Sequence, residues 1–553
     1  MAERQRGGVC AAAHRRNRHP AACRRGAQAR ASARCRVSGG VYRASSVALT
    51  GMEGTAITVE AAVSQQLPGM AIIGLPDTAL AEAKLRVRSA TAQAGLPLAD
   101  RFVTVNLRPA ALPKHGAGFD LAIALAVLAV SGHLSGARLH ETAHLGELGL
   151  GGDVRRPAGL LSLAIAAQAL GFARVMVPAE GASEAALVPD LEVIAVRDVS
   201  EAVGWHRGVP GCGRRVTRPA RRTRQLPPAE THNDVREIVG QEDAIDALTV
   251  AAAGRHHLSL LGPPGAGKTL LASRLPTLLP ELTDDEALEV SSIASLGSGA
   301  TVTRLIHTPP FESPHHTASA AAVIGGGAGN AVRPGALTRA HRGVLFLDEA
   351  PEFSRTVLEA LRQPLESGRV EIHRAQLRAT LPARVQLILA ANPCPCGNAN
   401  SLDPELPCRC TPSARVRYQQ RISGPLADRL DLQLELRRVS RARQPESPRP
   451  VLTSADLRAR VAEARASARA RLAGTGWRVN AEVSGDWLRT SALKLPAADT
   501  LILDRALSRG ALTLRGYDRV LRVAWSISDL AGGGRPRREQ IAQALVLRSG
   551  GVL

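Results

Sequence analysis

The chain has 553 residues and a formal charge of +21, and with lysine at only four positions (Lys84, Lys114, Lys268, Lys494) arginine supplies nearly all the positive charge. Hydrophobic residues at 45% suffice for sizeable cores, which at 2% aromatics must be built from Ala, Leu and Val. The length suits about three or four domains, the basic balance favours a polyanionic partner such as nucleic acid, and no apolar run reaches the roughly 18–20 residues that span a bilayer, so a cytoplasmic protein with no membrane partner is expected.

Residues 1–40 hold ten Arg, one acid and three of the eight Cys. They lack the apolar core of a signal peptide. A nucleic-acid-binding basic tail is one reading. A disordered extension or a mis-assigned start is the favoured one, because Val41 opens a clean alternating segment. Residues 41–205 mix both periodicities: 55–63 and 102–107 alternate as strands, and 119–131 and 159–170 are apolar enough for buried helices. Residues 206–232, rich in Arg, Pro and Gly, form a linker. A second domain spans 233–438, a Pro-punctuated connector covers 439–452, and 453–553 is all-helical, with stretches at 454–473, 515–530 and 537–548.

The second domain carries the chemistry. The apolar run LSLL (258–261) precedes GPPGAGKT (262–269) and a helical pattern, the strand–loop–helix context of a Walker A motif. Gly262, Gly265 and Gly267, interleaved with Pro263, Pro264 and Ala266, let the backbone N–H groups face phosphate oxygens at a helix N-terminus. Lys268 then bridges the β- and γ-phosphates of ATP, and the Thr269 hydroxyl ligates Mg²⁺. VLFLDE (344–349) is a second buried strand ending in two acids, a Walker B pattern. Asp348 holds Mg²⁺ through water, and Glu349 orients and deprotonates the attacking water. A third strand, VQLILAAN, ends at Asn392, where a polar tip can touch the γ-phosphate; a capping role before Pro393 is the plainer alternative.

In RISGPLADRLDL (421–432), Arg429 follows a short helical turn where an arginine finger would complete a neighbouring subunit's site; Arg421 is the runner-up. Arg515, on the helix at 513–530, is assigned as the residue reaching the γ-phosphate from the C-terminal helices, with a surface pair with Arg519 as the alternative. Cys394 and Cys396, with Cys408 and Cys410, form two close pairs across a polar loop. That spacing suits a Cys₄ structural Zn²⁺ site, with free thiols or redox pairs as alternatives. Residues 369–380 read as two short strands with a turn, on which His373, Arg374 and Arg378 are candidates for phosphate contacts.

These segments, together with GLPD (74–77), NLRPA (106–110), LPKHGAGFDLAIAL (112–125), GELGLGG (146–152), PHHTASAA (314–321), RPGAL (333–337) and LEALRQPLESG (358–368), resemble the YifB/ComM family of magnesium-chelatase-like AAA+ ATPases over about residues 41–553. The resemblance implies an α/β architecture: a Lon-protease-like, ribosomal-protein-S5-like α+β domain, then a P-loop AAA+ domain of the helix-2-insert clade, then an all-helical lid. It implies a homo-oligomeric ring, a hexamer in ComM-type members, acting as a helicase on single-stranded or branched DNA during branch migration in natural transformation. The chain departs from the family at Pro309, Pro310 and Glu312, near a segment usually basic, and at Trp525, where Arg is common. A Lon-like protease needs a nucleophilic Ser and a Lys. Here the Ser position falls at about Gly118 and the Lys position at Leu161 or Leu163, so the first domain is expected to be a non-catalytic scaffold or DNA-binding module, with Lys114 as a surface lysine or a DNA contact. A motor subunit of a metal chelatase, remodelling a protein partner, is the alternative function.

Overall fold

Apolar residues alternate with period two in the strands and run almost unbroken in two helices, and both patterns set the layers of the molecule. A computed structural model describes residues 40–74, 77–98, 100–109, 118–218, 234–297, 301–327, 332–374, 377–399, 407–438 and 452–550. They fall into two compact units, one of residues 40–48 and 54–218 and one of residues 49–53 and 234–550.

The first unit is built on an eight-stranded mixed sheet in the order Arg214–Val216, Glu192–Val196, Arg174–Pro178, Thr142–His144, Tyr42–Thr50, Glu53–Ser64, Phe102–Arg108, Gly69–Ile73. Glu53–Ser64 and Phe102–Arg108 contain the two expected strands and pair antiparallel with Ala61 opposite Val105. Asp120–Val130 is buried at every position. An all-round apolar helix of 11 residues belongs in a core, and no helix among the described residues is long and apolar enough to cross a membrane. Its one charge, Asp120, accepts from Arg86 Nε at 2.7 Å and from the Leu148 N–H at 3.2 Å. Within the stretch expected as a linker, Arg214–Val216 pairs antiparallel with Glu192–Val196. The expectations for residues 1–39, Lys114 and the connector stretches 219–232 and 439–451 lie outside the described residues.

The second unit centres on a five-stranded parallel sheet in the order Phe311–Glu312, Val344–Leu347, Gln386–Ala391, Leu258–Leu261, Leu432–Glu435. Alternate side chains divide between its two faces, as parallel strands covered on both sides require. Val344, Phe346, Ile388 and Ala390 join a core with Leu271, Leu275, Val461 and Val520. Leu345, Leu347, Leu387 and Leu389 join a second core with Leu337, Val357 and Leu361. The helices Glu242–Gly254 and Lys268–Leu278 therefore share one face with the C-terminal helices Ser454–Arg471 and Leu514–Leu530. Gly485–Thr490 and Ala497–Ser508 are helical as well, alongside the three stretches expected at the C-terminal end. The Arg369–Arg374 and Leu377–Pro382 strands form a separate hairpin with His373 opposite Arg378.

Candidate functional site

Three of the parallel strands end at one edge of the sheet, and each ends in a residue marked by the sequence. Leu258–Leu261 runs into Gly262, Val344–Leu347 into Asp348 and Glu349, and Gln386–Ala391 into Asn392. The carboxyl ends of parallel strands are the usual ligand edge of an open α/β sheet. In-register pairing of Leu261 with Ala391 and of Leu347 with Leu389 brings these tips together.

The GPPGAGKT loop turns tightly. Gly265 and Gly267 adopt φ of +77° and +82°, which side chains resist. A methyl group at Gly262 would come within 2.8 Å of the Leu436 carbonyl oxygen, so that glycine allows close approach to the neighbouring strand's exit. The helix Lys268–Leu278 starts from this loop. Lys268 is buried, and its Nζ donates to the carbonyl oxygens of Gly262 (2.7 Å) and Pro263 (3.0 Å) and to Asn392 Oδ1 (2.9 Å). Burial pushes its pKa down, while Asp348 and Glu349 oppose that shift. Arg438 Nε donates to Pro264 O at 3.0 Å, and Gln241 Nε2 to Ala266 O at 2.7 Å, so the loop is braced from two sides.

Thr269 Oγ1 donates to Asp348 Oδ2 at 2.8 Å, and the Glu349 N–H donates to Asp348 Oδ1 at 2.9 Å. A hydroxyl and a carboxylate so close form a hard oxygen donor set that suits Mg²⁺. Glu349 adopts φ of +50°, uncommon for a residue with a side chain. Its Oε2 lies 3.2 Å from His316 Nδ1. The sequence marked the PHHT segment without giving His316 a task. The signal was a pair of adjacent histidines a few residues after a sheet strand; the pairing itself depends on tertiary structure.

The arginines lie elsewhere. Arg429 and Arg515 line one cavity of about 560 Å³, shared with Arg255, Arg519, Arg522 and Trp477, and none of residues 262–269 lines it. The cavity also includes His257 and Asp431, next to the amino ends of Leu258–Leu261 and Leu432–Glu435, away from the carboxyl edge. Arg429 Nε donates to Arg362 O at 3.1 Å, and its guanidinium pairs with Glu366. Burial lowers its pKa, and the Glu366 carboxylate opposes this. Asp431, buried, accepts from the His257 N–H at 3.1 Å, pairs with Arg519 and lies 3.4 Å from His256 Nδ1. His256 Nε2 in turn meets Ser526 Oγ at 2.7 Å, which ties the C-terminal helices to the sheet. Arg421 instead pairs with Glu352 at 2.7 Å, close to the Walker B strand.

Cys394, Cys396, Cys408 and Cys410 offer sulfurs that all lie within 4.8 Å of one another. Sulfur separations of 3.4 Å (Cys394–Cys396), 3.7 Å (Cys394–Cys408) and 3.5 Å (Cys396–Cys408) are too long for disulfides and close to the edge of about 3.8 Å expected for a tetrahedron at a Zn–S distance of about 2.3 Å. Backbone hydrogen bonds from Asn398 and Arg409 bring the Cys396 thiol down to about 6, while burial pushes the Cys394 thiol up to about 11. On the hairpin, His373 lies 3.4 Å from Glu371 and is well exposed. In the first unit, Leu161 and Leu163 are core residues and a Cβ at Gly118 would stand 3.6 Å from Pro157 Cβ, so the positions where a Ser–Lys pair would stand carry no nucleophile or base.

Three family models match the chain: Magnesium chelatase, subunit ChlI at residues 234–444; Subunit ChlI of Mg-chelatase at 59–181; and Magnesium chelatase, subunit ChlI C-terminal at 452–548. An uncharacterized protein of Mycobacterium tuberculosis is 46% identical over 513 residues, covering 92% of this chain and 99% of that one. The competence protein ComM of Haemophilus influenzae is 38% identical over 499 residues, covering 90% and 96%. The uncharacterized protein YifB of Escherichia coli is 38% identical over 502 residues, covering 91% and 96%.

Proposed function

The chain belongs to the YifB/ComM family of magnesium-chelatase-like proteins, and from that premise we propose that it is an ATP-hydrolysing AAA+ ring motor, a hexamer, that moves branched or single-stranded DNA. The observation that carries the ATP reading is the meeting of Lys268, Thr269, Asp348, Glu349 and Asn392 at one strand edge. Residues 262–269 wrap the phosphates with backbone N–H groups, and Lys268 exchanges its neutral carbonyl partners for charged phosphate oxygens. Thr269 and Asp348 hold Mg²⁺, which when bound neutralises charge on the β- and γ-phosphates. Glu349 takes the proton of the lytic water, and Asn392, already bonded to Lys268, reports the γ-phosphate.

Arg429 and Arg515 share a cavity remote from residues 262–269 of their own chain. That arrangement supports both acting on a neighbouring subunit's nucleotide, with Arg429 as the finger in preference to Arg421. The strand pair Gly325–Gly326 and Arg333–Pro334, set between the second and third strands of the parallel sheet's chain order, fits the helix-2 insert. The Arg369–Pro382 hairpin fits a pore-facing DNA contact, which reads backbone rather than bases. The C-terminal helices act as the lid, and the first unit as a non-catalytic Lon-like module in a cytoplasmic protein. Zn²⁺ fits the four cysteines. A chelatase-like motor working on a protein partner is the second reading, favoured by the ChlI matches. The test is strand separation of a labelled four-way junction with ATP. ATP-dependent migration that weakens with salt supports the DNA motor; an active ATPase that neither binds nor separates DNA removes it.

A further inference from the structure

The four-cysteine knuckle touches the ATP loop on one side and runs directly into the arginine segment on the other. On one side is the ATP loop. Gly397, in the turn after Cys396, adopts φ of +82°, and a Cβ there would stand 2.4 Å from Pro264 Cδ and 2.7 Å from its Cγ. The knuckle therefore lies on the GPPGAGKT loop with no room for a methyl group. Cys394 is fully buried and follows Asn392, the Lys268 partner, by two residues.

On the other side is the arginine segment. Cys408 and Cys410 directly precede the helix Pro412–Gln419, whose N-cap Thr411 accepts from the Ala414 N–H. Tyr418 of that helix bonds to the backbone at Asn392, and Gln419 Nε2 donates to Pro393 O at 3.4 Å. The helix leads at once to Arg421 and, through the short turn Gly424–Ala427, to Arg429. The two cysteine pairs thus belong to opposite sides of one joint.

We infer that a thiophilic divalent cation such as Zn²⁺, held by Cys394, Cys396, Cys408 and Cys410, is a mechanical tie that seats the knuckle on Pro264 and so sets the affinity of the ATP loop, while joining that loop to the helix that carries the arginine segment. The inference rests on the reading that ATP binds at residues 262–269. Thiols alone make weak contacts at these separations, whereas four metal–thiolate bonds close the segment between Cys396 and Cys408 and fix Gly397 against its neighbour. Loss of the metal releases the second pair, and the wall against Pro264 goes with it.

The experiment uses the full chain in three forms: loaded with Zn²⁺, stripped by a chelator, and carrying Gly397→Ala with metal present. Zinc content and the charge-transfer absorption of a Co²⁺-substituted sample read the tetrahedral thiolate site, circular dichroism confirms folding, and a fluorescent ATP analogue with Mg²⁺ reads affinity. We expect one zinc per chain, at least fivefold weaker analogue binding after stripping, and similar weakening in Gly397→Ala although it keeps its metal. One zinc per chain with affinities equal within twofold in all three forms overturns the tie and leaves the metal site standing. No zinc, with Cys396→Ser and Cys408→Ser indistinguishable from the parent, overturns both. A loaded parent that binds no analogue overturns the ATP reading beneath them.

Discussion

Replacing His316 with alanine frees Glu349, the carboxylate proposed to activate the lytic water, from a competing partner. His316 Nδ1 stands 3.2 Å from Glu349 Oε2, with side-chain exposures of 31% and 52%. A pair so open to water is worth about 0.2–1 kcal/mol after screening. If Glu349 must leave His316 to engage water, releasing it lowers the barrier by at most that amount, which is about a fivefold rate increase at 25 °C. His316→Ala should therefore raise the basal turnover number by up to about fivefold, with the KM for ATP unchanged because the contact removed is to Glu349. Steady-state phosphate release at saturating ATP measures this. A tenfold fall in turnover would refute the reasoning, because it would mean that His316 holds Glu349 in its working position.

Mixing Lys268→Ala with Arg429→Ala protein should restore activity that neither has alone, since each variant supplies what the other's interface lacks; arginine fingers contribute on the order of 10³-fold or more, and mixtures no more active than the sum of their parts would contradict action between subunits. Asp431→Ala strands His256 and Arg519 in a buried setting and should cost about 3–5 kcal/mol in urea unfolding followed by tryptophan fluorescence. Acid should weaken the first unit through His144, which is fully buried between Ser45 O and His206 and whose pKa burial lowers to about 4. A base with a depressed folded value stays neutral in the fold, so its contribution is complete above about 6.5 and is lost as pH falls toward 4, roughly 3 kcal/mol in all. His144→Gln should flatten that part of the stability profile, measured by thermal melts across pH 4–7.

The parts of the molecule written locally in the chain were legible from sequence. The GPPGAGKT loop needs φ values only glycine supplies readily, so Gly265 and Gly267 announce it, and the strand before it is a plain apolar run. The apolar helix Asp120–Val130 was equally plain. Ala497–Ser508 went unread because its apolar residues are spread around the helix, with Leu501 exposed and Leu503 buried. What depended on distant packing was hidden. Nothing along the chain says that Arg429 and Arg515, 86 residues apart, line one cavity away from the phosphate loop, that His316 reaches Glu349, or that Gly397 lies against Pro264. The cysteines were legible as a set because their two-residue spacings are local, but the contact that gives the set a mechanical role is not.

The most direct test of the central claim compares the parent with Glu349→Gln for ATP binding and phosphate release in one preparation. Glutamine keeps the shape of the side chain and removes its basicity, so ATP should bind with parental affinity while hydrolysis falls by about 10²-fold or more. Hydrolysis at the parental rate in Glu349→Gln would contradict the assignment of this site as the engine of the protein.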